Sequence, residues 1–316
     1  MEQQIEQQNN SAKFAFFYLL SLVSLIFMTT SVGIVIFQII NKLVVDLVRP
    51  YAGMFDSGAV KFAISAIIIS APIYYLTTWQ INKNLYTGVL TKNSGVRRWL
   101  SYFILLVTSV VMLGWAIGTL NNFLNGDITL KFVLKALASV VIAGTVFSYY
   151  FYDIKREQLA GVKDRTINIF FYTTLAVVII TLVSAFFFID SPKLTRDRNR
   201  DDNVLNNFNA IDNSLNSYYL ENKKLPSNLE VLITEKRYLT EENIKDGVTG
   251  QKFDYKPGED KMYELCATFL TSNKDLKDSR NDYMVTRWPH DKGYQCLNQR
   301  INSVEGLKEF KPLPVQ

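Results

Sequence analysis

Apolar positions along the first 190 residues come in long unbroken runs, the pattern of helices that cross a bilayer. Crossing takes about 20 mostly apolar residues, because the hydrocarbon core is about 30 Å thick and an α-helix rises about 1.5 Å per residue. Five segments meet this length: Phe14 to Ile40, Val60 to Gln80, Trp99 to Leu120, Lys131 to Tyr152 and Thr166 to Ile189. The first and last carry no charge, and the fourth is uncharged from Ala136 onward. Five such runs in succession do not fit the buried helices of a soluble protein. The first run is too long for a cleaved signal peptide, and no small-residue cleavage site follows it. Trp79, Trp99, Tyr102, Tyr149, Tyr150 and Tyr152 fall near span ends, where aromatic side chains settle at the membrane interface.

The connecting segment Asn41 to Gly58 reads as a short interfacial helix carrying Leu43, Val44, Leu47 and Val48 and ended by Pro50. Pro72 reads as a kink feature. Gly114 and Gly118 form one small-residue face, read as a contact within the chain in preference to a dimer seam.

Beyond Ser191 the pattern becomes that of a soluble α+β domain. After a charged stretch, Val204, Phe208, Ile211, Leu215 and Tyr218 recur at steps of 4, 3, 4 and 3, one apolar stripe on a helix of about five turns. Asn222, Lys223 and Lys224 end it before Pro226. The fifth span is expected to run on into this helix as one rod. Ser227 is placed to cap a second, short helix carrying Leu229, Leu232 and Ile233. Strands are expected over Lys252 to Tyr255 and Met262 to Phe269, joined by a Pro257-Gly258 turn, with a third around Tyr294 to Leu297. Residues 308–316 read as an extended tail.

Charge sharpens this division. The chain has 316 residues and a formal net charge of +5, all of it in residues 1–190, which hold 14 Lys+Arg against 9 Asp+Glu. The remainder is balanced, which argues against a nucleic-acid-binding face. Loops on the N-terminal side of the spans, with Lys13, carry 9 basic residues against 5 on the other side. By the positive-inside rule the N-terminus lies in the cytoplasm, and five spans then place residues 191–316 outside.

Candidate chemistry is sparse. The two cysteines, Cys266 and Cys296, both lie in the expected outer domain, and paired thiols on the oxidising side of a membrane read as a structural disulfide. The rival is a redox-active or metal-ligating pair, but the spacing is not Cys-x-x-Cys. The single histidine, His290, sits in Trp288-Pro289-His290-Asp291, read as a solvated surface turn. The sequence has no P-loop, no dinucleotide glycine pattern, no His-Glu-x-x-His and no EF-hand loop. No catalytic, cofactor-binding or resident-metal residue is assigned. Asp275, Asp278 and Asp282 are a minor calcium candidate, interleaved with Lys274, Lys277 and Arg280 as in a solvated charged loop. No Asp, Glu, Arg or His lies deep in the first four spans, so the usual marks of an ion path are missing.

The order of parts after the fifth span resembles the globular part of type IV pilin-like proteins, especially the pseudopilins of type II secretion. The resemblance is carried by Tyr218, Tyr219, Asn222, Pro226, Ser227, Leu229, Leu232, Asp246, Gly250, Tyr255 and Tyr263, with Tyr238-Leu239, Phe253 and Glu264 to Ala267 between them. The chain departs from that family before the fifth span, where Gly161 is followed by Val162-Lys163 and no glutamate enters the helix. The processing site that releases a pilin subunit is therefore absent, and a tethered domain is expected in place of a filament subunit. The membrane half resembles a family of small bacterial four-helix membrane domains of unassigned function, in length, hydropathy layout and stretches such as the first span.

The expected fold is a multi-span α-helical membrane domain of five transmembrane helices, followed by a small α+β pilin-like extracytoplasmic domain. Its divisions are a cytoplasmic tail (1–12), a four-span domain (13–165), a fifth transmembrane helix (166–190), the ectodomain (191–305) and a tail (306–316). The expected function is non-enzymatic: a protein of the bacterial cytoplasmic membrane that presents an interaction domain to an envelope partner, such as a pilus or secretion assembly. A transporter or channel subunit, and a sensor signalling through a partner, are the alternatives. Beyond the lipid bilayer the sequence names no partner.

Overall fold

The computed structural model describes residues 2–46, 53–90, 95–156, 161, 164–234, 239–274 and 282–301, without the side chains of residues 2–12, 282 and 283. The chain divides into two compact units, Met1–Ile189 and Asp190–Gln316.

The first unit consists of α1 (Glu2–Leu43), α2 (Ser57–Tyr86), α3 (Gly95–Leu124), α4 (Leu130–Lys155) and α5 (Arg165–Phe186). All five are long and apolar enough to cross a membrane, α1 over Lys13–Leu43. At most ends the helices outrun the apolar segments, because polar side chains at the boundaries satisfy N–H groups that a helix start leaves unpaired. Asp56 accepts from the Gly58 and Ala59 N–H groups, Thr129 from Phe132, and Asp164 from Thr166 and Ile167. The interfacial helix expected after the first span is not seen: α1 runs to Leu43 and Val44 to Asp46 are irregular, while Leu47, Val48 and Pro50 lie outside the described residues. The Gln38 side-chain oxygen instead accepts the Asp56 N–H at 2.8 Å, tying the end of α1 to the start of α2.

Packing is densest where α1 meets α2. Leu25, Met28, Val32 and Val35 bury against Val60, Ala63, Ile64 and Ile67. The expected glycine contact is weaker than the sequence implies. A Cβ at Gly114 would meet nothing within 4 Å, and one at Gly118 would touch only Phe132 at 4.0 Å.

A cluster of buried ion pairs sits where α3 starts and α4 ends. The Arg97 guanidinium donates to the Asp153 carboxylate and to its carbonyl, both at 2.8 Å, with the Arg97 side chain 4% exposed. Arg156 bridges Asp153 at 3.2 Å and Asp164 at 3.0 Å, and Tyr152 donates to Asp164 at 3.1 Å. Side chains read from the sequence as loop charges thus clamp the start of α3, the end of α4 and the start of α5.

The second unit opens with α6 (Pro192–Asn222). Ser191 accepts the Leu194 N–H and Pro192 occupies the first turn, where a missing N–H costs nothing. α5 and α6 are therefore two helices, not the single rod expected: α5 closes at Phe187, and Ser191 caps a new start. α6 also begins about three turns before the apolar stripe. It ends at Lys223, whose φ of 56° places it in the left-handed region. After α7 (Glu230–Thr234) come β1 (Asp254–Pro257), β2 (Met262–Phe269), α8 (Asp282–Arg287) and β3 (Gly293–Arg300). The strands form one antiparallel sheet in the order β1-β2-β3. Val204, Phe208, Ile211 and Leu215 of α6 pack with Tyr263, Leu265 and Phe269 of the sheet, so the stripe read from the sequence is the core.

Candidate interaction domain

The hairpin β1–β2 turns through residues 258–261, with Asp260 and Lys261 in the left-handed region and the Gly258 N–H bonded to the Met262 carbonyl at 2.9 Å. Cys266 and Cys296 stand directly opposite in the β2–β3 register and form a disulfide, Cα to Cα 4.0 Å. Glu264 lies within 4.8 Å of both sulfurs, but sulfurs bonded to each other offer no thiolate to a metal.

Several of the residues named in the sequence resemblance meet in the core. Tyr218, Leu229, Leu232 and Tyr263 are core, with Tyr219 and Tyr255 packed against it. The Tyr255 hydroxyl donates to the Pro226 carbonyl at 3.2 Å, which ties the hairpin to the turn after α6. Asn222 donates back to the Tyr218 carbonyl at 3.1 Å. Ser227 is exposed and does not cap α7; the Asn228 side chain accepts the Val231 N–H at 3.2 Å in that place. Asp246 organises the turn to Gly250: it accepts from the Val248 and Thr249 N–H groups at 2.8 and 3.0 Å and pairs with Arg200 of α6 at 2.9 Å. Burial disfavours its charge, but Arg200 and the two N–H groups outweigh that and hold its pKa below the ordinary value. Gly250 has φ +68°, a conformation a side chain rarely adopts.

Two α6 carboxylates, Asp201 and Asp212, do structural work that the sequence did not announce. Asp201 accepts from the Leu270 and Thr271 N–H groups at 2.8 and 2.7 Å. Asp212 pairs with Arg287 at 2.9 Å and accepts the Tyr263 hydroxyl, whose pKa burial raises. Both are buried. They lie 11 residues apart on α6, one on the loop after β2 and the other on the end of α8.

The segment Trp288 to Asp291 is not the surface turn expected. Trp288 is fully buried against Phe208, with its indole N–H on Asn209 at 2.7 Å. His290 is 2% exposed and stacked on Phe269 at 3.9 Å between ring centres. Asn273 holds the segment by donating to the Trp288 carbonyl and accepting the His290 N–H, each at 2.9 Å. Of the calcium candidates, Asp275 and Asp278 lie outside the described residues; Asp282 begins α8, and its side chain is not described.

Burial depresses the His290 pKa, and the nearby Asp201 and Asp202 carboxylates do not offset it. The unfolded chain therefore binds the proton more readily than the folded domain. The contribution of neutral His290 is present in full above the unfolded value of about 6.5 and is lost as pH falls toward the depressed folded value. Urea midpoints of the wild type are expected to fall from pH 7 to pH 5 more than those of His290→Phe, and parallel curves would refute this.

Along the outer edge of β3 runs a groove of about 620 Å³, lined by Thr286, Arg287 and Pro289 on one side and Gln295 to Gln299 on the other. β3 is an edge strand among the described residues.

No curated protein and no solved structure matches the chain. Residues 15–150, which hold most of α1, all of α2 and α3 and most of α4, match the family model described as Domain of unknown function (DUF5671).

Proposed function

We propose that this is a protein of the bacterial cytoplasmic membrane that holds a tethered, pilin-like domain on the extracytoplasmic side as a non-enzymatic interaction module. The observation that carries the reading is the edge of β3 beside its groove. An edge strand presents unpaired N–H and C=O groups, and an extended segment of a partner docks there by strand addition. The partner is an envelope protein, of a pilus or secretion assembly if the pilin likeness extends to function.

Other features support the reading. The disulfide suits an oxidising compartment, and the basic loops suit a cytoplasmic N-terminus. Asp201, Asp212 and Asp246 spend their oxygens on backbone N–H groups and arginines, which suits a scaffold better than an acid–base site. A long helix on an antiparallel sheet, with Asp246 and Gly250 in the turn ahead of the β1–β2 hairpin, suits the pilin-like reading.

A photo-crosslinker placed at exposed Asn298 in native membranes tests it. The expected product joins the chain to a pilus or secretion component, and the same group at exposed Glu242 gives none. Equal labelling from both positions, or products with the chain itself alone, would overturn the proposal.

A further inference from the structure

Within the membrane unit, α1, α2, α4 and α5 enclose a cavity of about 300 Å³ whose two ends differ in chemistry. One end is aromatic: Tyr74 and Tyr75 of α2, Tyr149 and Tyr150 of α4, and Phe170 and Phe171 of α5. These rings pack edge to face, Tyr75 against Phe171 at 5.1 Å and Tyr149 against Phe170 at 5.9 Å. Both α2 tyrosines are 7% exposed, so this end is the closed one. The other end is aliphatic and includes Val32, Val141 and Val177. Val141 and Val177 are more than half exposed, so it opens on the apolar surface of the unit.

The Tyr75 hydroxyl is buried and, among the described residues, makes no hydrogen bond of good geometry. The Thr174 hydroxyl beside it donates to the Phe170 carbonyl at 2.7 Å, and its remaining lone pairs are the acceptor nearest the Tyr75 O–H without meeting hydrogen-bond geometry. A buried donor left unpaired in a lipid-surrounded bundle is costly, and a ligand oxygen removes that cost. Among the described residues no charged side chain lines the cavity, which disfavours an ionic head group as its occupant.

We propose that the cavity is a binding site for an uncharged lipid with a flat, carbonyl-bearing ring and a hydrocarbon chain, the chemistry of a prenylated quinone. The ring lies between the aromatic side chains with a carbonyl oxygen on the Tyr75 hydroxyl, and the chain leaves past Val141 and Val177 into the bilayer. Flat walls favour a ring over the ester of a phospholipid chain, which offers an acceptor but nothing to stack. The site is independent of the interaction module, and either can fail alone.

The test uses the full-length protein in lipid nanodiscs with an azido-substituted benzoquinone carrying a decyl chain. Photolabel is expected on peptides from the aromatic end, and excess unlabelled decylbenzoquinone should reduce it at least tenfold, while excess short-chain phosphatidylcholine leaves it unchanged. Tyr75→Phe keeps the ring, removes one hydrogen bond and should weaken binding about fivefold to tenfold. Val177→Trp narrows the open mouth and should weaken it further, with thermal unfolding checking that both variants remain folded. Label spread over the outer faces of α3 and α5, insensitive to competitor and to both variants, would overturn the site. Competition by phosphatidylcholine equal to that by the quinone would overturn the ring-bearing ligand.

Discussion

Asp153→Ala is expected to destabilise the membrane unit by about 3–5 kcal/mol, the usual cost of removing one partner of a buried ion pair. The Arg97 guanidinium sits almost wholly inside the bundle, and Asp153 supplies its carboxylate partner. Asp153 also anchors Arg156, which in turn reaches Asp164, so one substitution loosens three helix ends together. Thermal unfolding of the full-length protein in detergent reads the loss. A variant that replaces both partners with apolar groups, Arg97→Met with Asp153→Leu, should recover most of it, because no charge is then left buried and unpaired. A single variant that melts with the wild type would show that the cluster is solvated and not a clamp.

The second large effect is at the sheet. Cys266→Ala with Cys296→Ala is expected to cost the C-terminal unit about 3.5 kcal/mol, the chain entropy returned to the unfolded state when a loop of some 30 residues is opened. The bond spans the whole connection from β2 to β3, including α8 and the Trp288 to His290 segment, which puts Trp288 into the core. Proteolysis of the full-length protein across a urea series should show residues 190–316 cut at much lower urea in the variant, and in the wild type after reduction. Identical curves with and without reductant would mean that the packing of Trp288 and Phe269 holds the segment unaided.

What the sequence made legible were features fixed by neighbouring residues. Uncharged runs announce the five long helices, because crossing a bilayer depends on composition over 20 or so consecutive positions. The α6 stripe and the β1–β2 hairpin were likewise visible in a 3.6-residue period and in turn residues. The first turns of α6 were hidden, since Arg196 to Asp202 look like a solvated linker until Ser191 and Pro192 are seen to start a helix. Arg97 was counted as a loop charge because its partner lies 56 positions away. Trp288-Pro289-His290 reads locally as a turn, and its burial comes from Asn273 and Phe269, which are distant in the chain. Tyr149 and Tyr150 of the membrane cavity looked like part of an interfacial belt, because aromatic residues near span ends suit either setting.

The most direct test of the central claim is protease treatment of right-side-out membrane vesicles, followed by detection of an N-terminal tag and of residues 190–316. A membrane-held module on the extracytoplasmic side predicts that the C-terminal unit is removed from sealed vesicles while the tag and the five membrane helices stay protected. Loss of the tag with the C-terminal unit intact would invert the topology and contradict the account.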